Sequence, residues 1–283
     1  MAACGPRPRH VRIDPALATL VPPEAIALAG VRLDRLRQAA AYKQLRPVLE
    51  TNPVARLTQR AGDAFADLWE LLAVVTPDDA VWMARGRFSP SGMEPRVSWD
   101  GARRTTYRNH LLITDGERAI VFMNATTAVA GNPERLRKII DQRDSDVKPP
   151  GDLLALAYTI DGSNQIWAVA QGGRSFPAVV PGALGHTLSE VLPKLRHARV
   201  MVDVQDRVLL RADGECFTPE DAETLRSALK AFIGLAKLQK KGAPALRKLL
   251  EQASVTGEAS TVGFTVEAPP DLLRALLVRE PAP

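Results

Sequence analysis

Aromatic side chains make up only 5% of this 283-residue chain, and cysteine occurs twice. So few aromatics count against a platform for single-stranded nucleic acid, in which bases stack on aromatics interleaved with basic residues. The cysteines, Cys4 and Cys216, permit one disulfide at most and no Cys-x-x-Cys metal site. Histidine is as sparse. His10, His110, His186 and His197 show no His-Glu-x-x-His or His-x-His spacing, so no metal site is predicted. The Gly-x-Ser-x-Gly, Walker and Gly-x-Gly-x-x-Gly patterns are all missing. Gly172-Gly173-Arg174-Ser175 lacks the Walker spacing and its lysine, and reads as a turn after a strand. The expectation is therefore a chain with no cofactor. Long apolar runs are missing too: a membrane helix needs about 18 such residues, and the apolar stretch Val21–Leu33 is shorter and carries Glu24 and Arg32.

Nor is there an excess of charge of one sign. Thirty-seven basic residues are interspersed with 32 acidic ones, for a formal charge of +5 and a sequence pI of about 9.4. That balance permits contact with nucleic acid or anionic lipid and demands neither. Basic residues gather at Arg103, Arg104 and Arg108, and again at Lys237, Lys240, Lys241, Arg247 and Lys248. The second group falls at a helix end, where cations suit the dipole. Acid pairs such as Asp78-Asp79 and Glu220-Asp221 fall in turns or helix starts, where solvation or capping accounts for them.

What the chain does contain is a foldable pattern. It is 46% hydrophobic and 24% charged, a globular composition. Val200, Val202 and Val204, then Val208, Leu210 and Ala212, alternate with their neighbours around a turn at Gln205–Arg207 and predict a hairpin with one buried face. Hairpins are also predicted around Thr76–Asp79 and around Asp115-Gly116. Helical spacing marks Leu36–Leu45, Pro133–Asp141, Asp152–Ile160, Pro219–Ala236 and Pro270–Val278. Trp82 and Trp167 fall in strands and are expected in the core. Trp99, in a loop of weak helical patterning, is the candidate for an exposed recognition aromatic. Cys216, at a strand end, reads as a buried thiol.

Two halves of the chain resemble each other. Val129–Ile140 parallels Val266–Leu277, each a strand end followed by Pro, an acid and an apolar-periodic helix. Ala84–Pro90 parallels Ala212–Pro219 with one residue inserted, and Ala25–Ala29 parallels Gln165–Val169. The expected fold is α+β, with two tandem repeats, each a mostly antiparallel sheet with helices on one face and a ferredoxin-like order of elements. The domains are then a Pro-rich tether over residues 1–24, repeats over 25–141 and 165–283, and a linker with a short helix over 142–164. Met1-Ala2-Ala3-Cys4-Gly5 has the small residues that precede a lipidated cysteine, without the apolar signal core that should come before them. Cys4 is thus a candidate lipid-attachment site if the true start lies upstream. As printed, the chain would stay cytoplasmic.

Leu20–Val31, Ala84–Phe88, Val129–Gly131 and Gln165–Val169 resemble strings in an uncharacterised group of bacterial envelope proteins, often predicted lipoproteins, built from duplicated α+β units. The resemblance spans Leu20 to Leu277. It implies the fold and an envelope location, and brings no catalytic residues. The functional expectation is a non-catalytic envelope protein that binds a protein or an apolar ligand on its sheets. It would meet a membrane through the Cys4 anchor, with Trp99, Arg103, Arg104 and Arg108 as a candidate recognition surface. The alternatives are a cytoplasmic protein associated with nucleic acid, which the scattered charge disfavours, and an enzyme with a site around Arg103, Arg108 and His110.

Overall fold

A computed structural model describes residues 10–49, 67–88, 97, 99–174, 190–238 and 244–277. The strands are β1 (Ala27–Arg32), β2 (Leu68–Val75), β3 (Ala80–Gly86), β4 (Arg103–Tyr107), β5 (His110–Thr114), β6 (Ala119–Asn124), β7 (Thr127–Gly131), β8 (Ile166–Gln171), β9 (Leu195–Val204), β10 (Val208–Cys216), β11 (Ser254–Thr256) and β12 (Thr261–Ala268). The helices are α1 (Pro15–Ala18), α2 (Leu33–Leu36), α3 (Ala40–Leu49), α4 (Pro133–Arg143), α5 (Gly151–Tyr158), α6 (Pro219–Leu238), α7 (Pro244–Glu251) and α8 (Pro270–Leu277).

All twelve strands join one antiparallel sheet, in the order β11-β12-β10-β9-β8-β1-β2-β3-β7-β6-β5-β4. The α+β class is as expected, and the two halves share one sheet, meeting where β1 pairs with β8. In a split β-α-β unit another strand lies between the two that a helix joins. Here β1 and β2, joined through α2 and α3, lie side by side, so the ferredoxin-like order is not what this sheet displays.

Local chemistry explains where the elements start and stop. Asp14 caps α1, its side chain accepting from the Ala16 amide at 2.8 Å, with Pro15 in the first turn. Asn132 caps α4 in the same way. Thr218 caps α6, its hydroxyl accepting from the Asp221 amide at 3.1 Å and donating to the Asp221 carboxylate at 2.9 Å. The β5–β6 turn holds Gly116 at φ 100°, with Asp115 accepting the Arg118 amide at 2.8 Å. Arg108 and Asn109, both at positive φ, close the two-residue β4–β5 hairpin.

Because side chains alternate across a strand, register assigns each residue a face. On the first face Leu28, Leu72, Met83, Val121, Val129 and Val169 are buried with residues of α1, α4 and α5. On the second face, α6 packs over β10 and β12, while α2 and α3 cover Val31, Val202 and Val204. Thus α1, α4 and α5 lie on the first face, and α2, α3 and α6 on the second. Past β8 the first face turns polar: Arg199, Asp203, Arg211 and Asp213 lie on it.

One expected boundary is corrected. Residues 10–24 are no tether: Val11, Ile13, Leu17, Leu20 and Val21 are buried in the main core. Their apolar side chains need a partner, and the first face offers one. Between the halves, residues 142–164 contain the short helix expected there, α5, and its Leu153 and Ala157, with Ile160, bury in that same core.

Candidate functional site

One apolar cross-strand row on the second face runs from β5 to the edge strand β11, and its next neighbour on the other edge strand, β4, is Arg104. From β5 it passes through Ile113, Ile120, Ala130, Trp82, Ala73 and Ala29. From β8 it continues through Ala168, Val200, Ala212, Phe264 and Val255. No charged or polar side chain interrupts these eleven positions. Under the helices α6 and α7 such a row is ordinary core. Across the middle strands it becomes a floor of alanines, at positions 29, 73, 130 and 168, all only half-buried, with Trp82 standing above it 53% exposed. The core position expected for Trp82 is therefore corrected. Val81 and Met83 fill the first face, and alternation sends the indole to the other. Trp167, by contrast, is 2% exposed and lies against Gly30, where any Cβ would collide with the indole.

At the β4–β7 end the same face is closed by a second cluster. Phe88 and Phe122 meet with ring centroids 5.6 Å apart, and Val97 and Trp99 pack beside them. The Trp99 Nε1–H donates to Asp115 Oδ2 at 2.8 Å, so this indole is half-buried and engaged. Backbone N–H donors and the Arg118 side chain hold the Asp115 carboxyl well below the usual carboxylate range.

The residues expected to form one recognition surface are separated. Arg103 and Arg104 lie on the edge strand β4 and point to opposite faces, because they are adjacent in an extended strand. Arg108 turns back to α4, pairing with Asp141 at 2.9 Å and Asp144 at 3.6 Å. Arg103 and Arg108 sit at opposite ends of β4, about 17 Å apart along an extended strand, so with His110 they form no converging site. Cys4 lies outside the described residues. Among the described residues, no group of three His, Cys, Asp or Glu side chains is placed to hold a metal ion, and no helix is long and apolar enough to cross a membrane.

Other ionisable groups act as latches on the first face. Arg135, 7% exposed, pairs with Asp79 at 3.1 Å and with Glu24. Burial works against its charge, but the two carboxylates outweigh it and raise the guanidinium pKa further. Asp79 is in turn held by the buried Thr76 hydroxyl at 2.5 Å. A shallow depression of about 330 Å³ opens beside this cluster, between Pro22–Glu24 and α4. At the other end of the N-terminal segment, Arg85 bonds Asp14 at 2.9 Å and the hydroxyls of Thr126 and Thr127. Periodicity could not reveal these latches, because each joins residues more than 40 positions apart. The alanine row was equally hidden: each strand contributes one residue to it, and only the register lines them up.

No family model matches the chain, and no curated protein matches it. The fold is similar to solved structures of TP0453. Crystal form I aligns with a TM-score of 0.54 at 9% identity, over 94% of this chain and 98% of that one. Form III gives 0.55 at 10% over 94% and 98%, and form IV gives 0.53 at 11% over 94% and 97%. At these identities the likeness speaks for the fold, and for the fold alone.

Proposed function

We propose that this is a non-catalytic binding protein of the cell envelope, which lays an apolar ligand along the second face of its sheet. The carrying observation is the uninterrupted apolar row with Trp82 raised above an alanine floor. Exposed apolar surface of this continuity marks an interaction site in a folded protein. Small floor residues leave room for a flat or elongated body, and a half-exposed indole supplies apolar area with little rotamer entropy to lose. With no charged side chain among the eleven positions of the row, shape and apolar area would select the ligand. The small residues before Cys4 support a lipid-anchored precursor on the periplasmic side.

The reading includes a duplication. What supports it is the pair of meanders β1-β2-β3-β7 and β8-β9-β10-β12, which a half-turn about the sheet normal exchanges across the β1–β8 seam. Ala84 and Ala212, matched by sequence, keep the same face under that rotation. Val129 and Val266 do not: the first lies on the first face and the second on the other. Their strings are therefore alike as strand-to-helix junctions and not as equivalent positions.

The test is titration of the full chain with the neutral fluorophore N-phenyl-1-naphthylamine. Saturable binding is expected, weakened about fivefold or more by Trp82→Gln, which removes roughly 1 kcal/mol of apolar burial. The thermal midpoint should not move, because the indole is outside the core. Unchanged affinity in that variant, or no binding at all, overturns the reading.

A further inference from the structure

We draw no further inference here: the strongest candidate, the polar depression of about 490 Å³ between the α2–α3 turn, the loop before β8 and the β9–β10 turn, rests on the N-terminus of α3, and the buried Gln165 in its wall is already bonded to the Val204 amide and to Asp203.

Discussion

Glu70 illustrates how single side chains are placed under tension by the core around them. It projects from β2 onto the first face, where its carboxylate accepts the Asp14 amide at 3.4 Å. Burial raises its pKa; the Asp14 amide pulls the other way and the Asp14 carboxylate adds to the rise. An acid whose folded pKa is raised destabilises the fold once pH exceeds its unfolded value near 4.3. The penalty grows through the raised folded value and is absent below the unfolded one. Glu70→Gln keeps an acceptor for the amide and removes the charge. It is expected to raise the melting temperature at pH 7 and leave it unchanged at pH 4. A lower melting temperature at pH 7 would show that pairing with Arg32 outweighs burial.

At the scale of elements, α1 shows why so short a helix forms. Four residues cannot hold a helix by their own hydrogen bonds. The Asp14 cap, Pro15 and a fully buried Leu17 do so together, and Arg85 anchors the cap residue to β3. Leu17→Ala is expected to cost ~2–5 kcal/mol in urea denaturation, as large-to-small changes in a packed core do. A cost near zero would restore the tether reading of residues 10–24. The hairpins around Thr76–Asp79, Asp115-Gly116 and Gln205–Arg207 were all legible beforehand, and so were the starts of α4, α6 and α8, because caps and turns are local chemistry. The edge strand β4, with Arg103, Arg104, Thr105 and Thr106 all exposed, was not, since it has no apolar face to alternate.

For the molecule as a whole, the consequence of one continuous sheet is cooperative folding. β1 is covered on one side by β2 and on the other by β8, and α5 lies over that seam. Cutting the chain at residue 141 would strip β1 of a partner and expose an unpaired central strand. Fragments 1–141 and 142–283 are therefore expected not to fold alone, and the intact chain to unfold in one transition by circular dichroism and by tryptophan fluorescence. A folded fragment or two separated transitions would reinstate independent repeats.

By itself the sequence determined the α+β class, most strands and helices and the positions of their turns, because those depend on alternation, helical spacing and caps within a few residues. Only the tertiary structure decided that both halves share one sheet, that helices cover both of its faces, and that the N-terminal residues belong to the core. The same holds for Trp82, which stands outside while Trp167 lies within. Each of those depends on strand register and on contacts between distant residues, and a shift of one position in register reverses every side chain's face.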